Sequence, residues 1–382
     1  MSAVERPLGR TGVWVSPLTL GAMNFGSRAN ADQADGIRII HAALDAGINV
    51  IDTADVYSQG ESEQIVGKAL SGGRRDAVFL ATKFRGQIGE QPHRRGNSRR
   101  WIYQAVEDSL RRLNVDWIDL YQVHRPEDET DFEETLGALG DLVRAGKIRY
   151  IGSSTFDPWE VVEGQLIARS HGYQRVISEQ PPYSILVRGI ERELLHVAQR
   201  YDIAVLPWSP LAGGWLSGRY RRGQEPPVSS RVAQQPGRFD PGHPNNAAKL
   251  EAVLQLQDLA DEAGIPLIHL ALAFVLEHPA VTSAIIGPRS LEQLESQLGA
   301  VDVQLSANVL DRIDQIVSPG TNLNAGDAGY VPVSLADVSR RRGGPRTPGP
   351  RPSWPPTPSK PASAQPAAVV PLRASAASTS GS

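Results

Sequence analysis

The sequence predicts an α/β chain whose eight strand–helix units close into a (β/α)8 TIM barrel, followed by a disordered C-terminal tail. Three observations predict it. A short β-branched run, a loop and a helix-bearing connection recur eight times along the body. The strands read as nearly continuous apolar runs, as strands of a covered parallel sheet do. No Gly-x-Gly occurs anywhere, which removes the usual dinucleotide fingerprint of the open, doubly wound alternative.

The candidate strands, in order, are SPLTLG (16–21), INVID (48–52), AVFLATK (77–83), WIDLYQVH (117–124), IRYIGSS (148–154), RVISEQ (175–180), IAVLPW (203–208) and TSAIIG (282–287). The helices between them carry their own punctuation. In ADQADGIRIIHAALDAG, Asp32 is placed to cap the start and Gly47 to stop the end, while Ile37, Ile40 and Leu44 share one face. SRRWIYQAVEDSLRRLN repeats the pattern with Ile102, Val106, Leu110 and Leu113, and FEETLGALGDLVRAGK ends on Gly146 and Lys147. The connection after the seventh strand (209–281) is long. It holds GQEPPVSSRVAQQPGRFDPGHP before two helices, and a loop of that size in a compact domain usually lies over a site. The barrel is expected over residues 1–337. Residues 338–382 are dense in Pro, Ala and Ser with no apolar periodicity, so they cannot bury enough surface to offset chain entropy and read as a disordered tail.

Composition narrows the function classes. With no cysteine, disulfides and thiolate metal sites are out, which suits a reducing cytoplasm. The first residues lack an apolar signal core, and no run approaches the roughly 18 apolar residues of a membrane helix. Of the formal net charge of −3, the seven basic residues from Arg340 onward contribute +7 with no acid among them, so residues 1–339 carry −10. An acidic body argues against nucleic acid as a partner. Neither a membrane nor a metal is expected, and a small molecule is the expected partner.

A barrel points the C-terminal ends of its strands at one mouth. Here those ends carry Asp52, Lys83, His124, Ser153 with Ser154, Gln180, Trp208 with Ser209, and Gly287 with Arg289; Tyr57 follows Asp52 in IDTADVYSQGESE. Each alone has an ordinary reading: a turn aspartate, a surface tyrosine, a satisfied lysine, a core histidine. Their recurrence at successive strand ends is what packing does not explain. A phenol is a poor acid at neutral pH, and a nearby ammonium lowers its pKa. Lys83 can do that for Tyr57, Asp52 can hold Lys83 charged, and His124 can hydrogen-bond a carbonyl oxygen. A barrel lyase using Lys83 as a Schiff base fits the same lysine.

At these residues the chain resembles the aldo-keto reductase family over about residues 5–330. The family order of Asp, Tyr five later, Lys and His is matched by Asp52, Tyr57, Lys83 and His124, within GINVIDTADVYSQGESE, FLATKF, IDLYQVHRPE, GKIRYIGSS and IIGPRSLEQLESQL. The resemblance implies a barrel that binds NADPH without a Rossmann domain and reduces an aldehyde or ketone by direct hydride transfer. In it Tyr57 is the proton donor, Lys83 and Asp52 tune it, and His124 orients the carbonyl. The resemblance also implies a cofactor site. Ser154 and Gln180 fall at the nicotinamide carboxamide, with Ser153 among the cofactor-binding residues, Met23 near the nicotinamide, and Trp208 where an aromatic stacks on its ring. Ser209, Leu211 and Gly213 fall along the pyrophosphate. Arg289 and Gln293 fall at the adenosine 2′-phosphate, with a helix opening near Ser290, Gly287 is among the cofactor-binding residues, and Gln297 faces adenine. The family often has Ser-Asn where Ser154 and Thr155 stand, and an acid followed by Asn where Ser296 and Gln297 stand. Similar barrels also serve as NADPH-binding potassium-channel β subunits, a redox-sensing alternative. Phe25, Phe84, Trp159, Trp215 and Phe239 suggest an aromatic-tolerant substrate pocket, and the basic loop 89–100 reads either as an attractor of anions or as a solvated loop.

Overall fold

The computed structural model of the chain describes residues 4–27, 29–225 and 230–342. Two-residue strands β1 (Arg6–Pro7) and β2 (Trp14–Val15) form an antiparallel hairpin turned at Gly9 and Gly12, both at positive φ. Strands β3 (Leu18–Gly21), β4 (Val50–Asp52), β5 (Phe79–Phe84), β6 (Ile118–Val123), β7 (Ile148–Ser153), β8 (Val176–Glu179), β9 (Ala204–Val205) and β10 (Ala284–Ile286) all pair in parallel, in the order β10-β3-β4-β5-β6-β7-β8-β9. Bridges from Val205 to Val281 and from Trp208 to Ile285 join the two ends, with the Thr282 and Ile285 amides donating to Val205 and Pro207 carbonyls at 2.9 Å. The sheet therefore curls round on itself as the sequence predicts, each of the eight strands falling inside its expected run or within one residue of it. The hairpin is an element the sequence pattern did not indicate.

Strand alternation sorts the core into two layers. Val50, Ala81, Leu120, Ala204, Leu206 and Ile285 fill the lumen, joined by Leu8 and Val15 from the hairpin. Their neighbours Ile51, Leu80 and Tyr121 point outward into the larger layer beneath the helices. The three helices read from the sequence are Gln33–Asp45, Arg99–Leu113 and Phe132–Arg144, capped by the side chains of Asp32, Ser98 and Asp131. In the first, the buried face is Gly36, Ile39, Ile40 and Ala43, with Ile37 and Leu44 at its edges. It is rotated from the expected stripe because Gly36 lets the helix approach Phe25 and Ile65 closely.

The long connection carries the two expected helices, Ala247–Ala263 and Leu267–Glu277, after shorter turns at Ser230–Gln234 and Pro236–Phe239. Residues 226–229 of its Pro-rich stretch lie outside the described residues. Chain contacts divide at Val331 and Pro332. Beyond lie two one-turn helices, Val333–Ala336 and Val338–Arg341, so the expected boundary at 337 falls between them, and tail residues 343–382 lie outside the described residues. Among the described residues no single helix is long and apolar enough to cross a membrane.

Candidate functional site

The alternation that fills the lumen also builds the site. Two residues beyond Val50, Ala81 and Leu120 on the same face stand Asp52, Lys83 and Gln122, and His124 and Trp208 extend the same rows. Lys83 is fully buried. Its Nζ donates to Asp52 Oδ2 at 2.6 Å, to the Thr53 carbonyl at 2.8 Å and to the Tyr57 hydroxyl at 3.4 Å. Burial pulls the ammonium's pKa down, but the Asp52 and Tyr57 charges and hydrogen bonds outweigh it and leave the pKa raised. The other Asp52 oxygen accepts from Gln122 Nε2 at 3.0 Å and Gln180 Nε2 at 2.9 Å. Tyr57 hangs from a tight turn in which Ser58 and Gln59 take left-handed backbone angles (φ 48° and 55°), the kind of local strain that surrounding structure must hold in place. His124 meets the Tyr57 ring edge-on, centroids 5.7 Å apart at 82°. Burial first, then the charges of Lys83, Arg125 and Arg85, push its imidazole well below the ordinary range, so it is neutral at pH 7. Asp52, Tyr57, Lys83 and His124 thus come together as one group.

Around it lies a shelf of amides and hydroxyls. Ser154 Oγ donates to the Gln180 carbonyl at 2.9 Å, and Thr155, left-handed at φ 60°, accepts from Trp208 Nε1 at 3.4 Å. Ser153 turns away, giving its hydroxyl to Glu179 Oε2 at 2.5 Å. Gln180 spends its amide nitrogen on Asp52 and on Gln122 Oε1 at 3.3 Å. Three residues here escaped the sequence reading. Gln122 had a visible signal, an amide on the inward row of a buried strand, and Arg125 directly follows His124. Glu179, an acid within a buried strand and so a signal of the same kind, is buried against Ser153 and the Phe156 amide.

The loop after β9 bends through left-handed Ser209 (φ 57°), Ala212 and Gly213 (φ 67°), with Leu211 half-buried between them. A side chain at Gly213 would meet the Phe239 ring at 2.6 Å and Arg231 Nη1 at 3.0 Å. Arg231 donates to the Gly213 carbonyl at 3.0 Å. Its guanidinium is pulled down to about 10 by burial, and then by Arg289, Arg238 and Arg219. Four arginines therefore gather about this loop, from three stretches of chain. Ser290 caps helix Leu291–Leu298, as expected, while the Arg289 amide donates to Gln293 Oε1 at 2.9 Å and the Gly287 carbonyl accepts from Asn24 at 2.7 Å. Gln297 is buried and folds back onto the Gln293 carbonyl at 2.6 Å; Met23 is half-exposed on the turn after β3. The arginines about this glycine turn have the charge and donors that could hold a dinucleotide phosphate, and the flat Trp208 beside a hydroxyl and amide shelf could hold a nicotinamide.

Two expectations change. Phe25, Phe84 and Trp215 are core residues, at most 1% exposed, so they line no open pocket. The basic loop is structural in part: Arg94 pairs with Asp108 at 2.8 Å and Arg99 with Asp141.

A family model described as the Aldo/keto reductase family matches residues 17–318. The chain is 38% identical over 319 residues to the uncharacterized oxidoreductase YrpG of Bacillus subtilis, covering 81% of this chain and 94% of that protein. It is 34% identical over 317 residues to a probable voltage-gated potassium channel subunit beta of Oryza sativa subsp. japonica, covering 81% and 95%. It is 33% identical over 341 residues to the aldo-keto reductase AMT2 of Alternaria alternata, covering 82% and 91%.

Proposed function

The chain belongs to the aldo/keto reductase family, and from that premise we propose that it is an NADPH-dependent reductase of an aldehyde or ketone in which Tyr57 is the general acid. One observation carries the reading: a buried ammonium, Lys83, reaches Asp52 and the Tyr57 hydroxyl together, beside a neutral imidazole. Asp52, held by Gln122 and Gln180, keeps Lys83 charged without water. Lys83 then stabilises the phenolate that remains once Tyr57 has given its proton to a carbonyl oxygen. His124, neutral, can donate a hydrogen bond to that same oxygen, fixing the carbonyl between two donors. When bound, a reduced nicotinamide supplies the hydride equivalent. Trp208 offers its ring a face, Ser154 with Thr155 and Gln180 offer its carboxamide partners, and the glycine-and-arginine cradle suits its phosphates. Arg289 with Gln293, at the capped start of a helix, supports a preference for the 2′-phosphate of NADPH. The chain's setting is then a cytoplasm that keeps this cofactor reduced.

The 34% identity to a relative named as a potassium channel subunit supports a second reading, an NADPH-binding regulatory subunit. Both are tested together by titrating NADPH and NADH against tryptophan fluorescence, then measuring NADPH oxidation with 4-nitrobenzaldehyde. NADPH is expected to bind, more weakly by about tenfold in Arg289→Ala with NADH little changed. Tyr57→Phe is expected to keep that binding and lose roughly 100-fold or more in turnover. Binding without turnover in the parent chain would favour the regulatory reading, and no nucleotide binding would end both.

A further inference from the structure

Arg125 is the residue that the reductase reading leaves unexplained. It sits in the middle of the site. One nitrogen, Nη1, donates to the His124 carbonyl at 2.6 Å and to Ser154 Oγ at 3.2 Å, and the guanidinium lies 5.8 Å from the Trp208 ring centroid. Its Nε and Nη2 have no partner, and it makes no ion pair, among the described residues. A cation buried without a counter-charge is costly, and neighbours normally supply one. Here Tyr57 and Glu179 bear on the charge without pairing to it, Glu179 itself being pushed up to about 7 by burial, and Arg85 opposes them.

Arg85 stands just past the end of β5, two residues beyond Lys83, and its charge bears on both His124 and Arg125. Its backbone is left-handed at φ 115°, a conformation that a non-glycine residue adopts only when held there. Its Nε is buried with no hydrogen-bond partner, 3.6 Å from Glu127 Oε2. Glu127 is itself committed to the Asn97 amide at 2.6 Å and the Thr130 hydroxyl at 2.7 Å through its other oxygen. Two like charges thus converge beside the imidazole, an arrangement that a bound anion would relieve. Beyond Arg85 the field reverses: Tyr330 is surrounded by Asp128, Glu160 and Asp157, and burial pushes Glu160 up to about 7. On this side of the site the charge that favours an anion is that of the two arginines bearing on His124.

Resting on the reductase reading above, we propose that the substrate is an oxo acid, its carboxylate held by Arg125 and Arg85 a few bonds from a carbonyl that lies between Tyr57 and His124. The net reaction converts the oxo acid, NADPH and a proton into the hydroxy acid and NADP+. The two guanidinium groups set specificity, because a neutral carbonyl compound gives Arg125 no anion and leaves Arg85 only its long contact with Glu127.

The test compares acids with their methyl esters on the full chain. Benzoylformate and 4-oxobutanoate are each set against the ester, with 4-nitrobenzaldehyde as a neutral reference. At least one acid is expected to exceed its ester in kcat/KM by about tenfold or more, mostly through KM. That ratio is expected to collapse by about tenfold in Arg85→Gln and in Arg125→Gln, and to recover partly in Arg125→Lys. Arg85→Gln, nearer the surface, serves if Arg125→Gln does not fold. Oxamate, a non-reducible mimic, should quench tryptophan fluorescence in the parent and not in Arg85→Gln. If 4-nitrobenzaldehyde is reduced but both esters match or exceed their acids, the oxo-acid assignment falls and the reductase reading stands. If no carbonyl compound is reduced although NADPH binds, both fall.

Discussion

Glu179 shows how one buried residue can set a pH response. It is fully buried, accepting from the Ser153 hydroxyl at 2.5 Å and the Phe156 amide at 3.1 Å, and so anchors both sides of Ser154 and Thr155. Burial pushes its carboxyl from an ordinary 4.5 up to about 7, against the pull of those hydrogen bonds and Arg125. Between those two values the folded chain keeps a proton that the unfolded chain has lost, so stability falls as pH rises across that window. The loss is on the order of 1–3 kcal/mol, at about 1.4 per pH unit. Urea unfolding of the parent minus Glu179→Gln, followed from about pH 5 to about pH 8, should expose that slope. Glu160, also near 7, contributes equally to both chains and cancels. Parallel curves for the two chains would show that Glu179 does not titrate in this window. The acid is visible within a strand of the sequence, but its shift is not, because that depends on what covers it. Asp52, Tyr57, Lys83 and His124 are legible for the opposite reason, since each puts polar chemistry at the end of an apolar strand or in the loop just after it. The gathering of Arg231 with Arg289 is not legible, because only the folded chain brings those stretches together.

At the scale of elements, the strands are legible because their period and their apolar runs are local properties, whereas the closeness of helix to helix is not. Helix Glu61–Ala69 follows the Tyr57 turn directly, and its Glu63 binds the Thr82 hydroxyl at 2.6 Å and Arg112 Nε at 2.6 Å. Within it Gly67 reads as a weak point, since alanine is the better helix former by about 1 kcal/mol. The structure reverses that expectation. A side chain at Gly67 would lie 2.4 Å from the Leu113 carbonyl oxygen and 2.9 Å from its Cα, both backbone atoms at the end of helix Arg99–Leu113. Relief requires one helix to move, and Glu63 ties that movement to β5, which carries Lys83. Gly67→Ala should therefore lose about 1–3 kcal/mol in urea unfolding. A gain in stability would mean that the two helices separate freely and that the glycine is incidental.

At the scale of the barrel within residues 4–331, Trp215 and Tyr220 of the long connection after β9 belong to the core rather than to an open loop. Trp215, 1% exposed, gives its Nε1 to the Arg238 carbonyl at 3.1 Å, stacks on Tyr220, and carries the Lys249 ammonium 4.8 Å above its ring centroid. Lys249 donates to that same carbonyl at 2.8 Å and to Asp327 Oδ2 at 2.6 Å, while Arg238 Nε takes Asp327 Oδ1 at 2.9 Å. One carboxylate thus ties the connection, the helix Ala247–Ala263 and the segment ending at Gly329, whose backbone lies so near Trp208 that a side chain would come within 2.5 Å of the indole. Removing the carboxylate leaves a buried ammonium without its counter-ion, which is the costly way to break a buried pair. Asp327→Asn is therefore expected to lose about 3 kcal/mol and to shift the Trp208 emission as the segment over it loosens. Adding Lys249→Met should recover most of that loss, since an apolar side chain of similar length needs no counter-ion. An Asp327→Asn chain as stable as the parent would show that Lys249 finds water or sheds its proton at little cost. The connection would then be held by Trp215 and its apolar contacts alone.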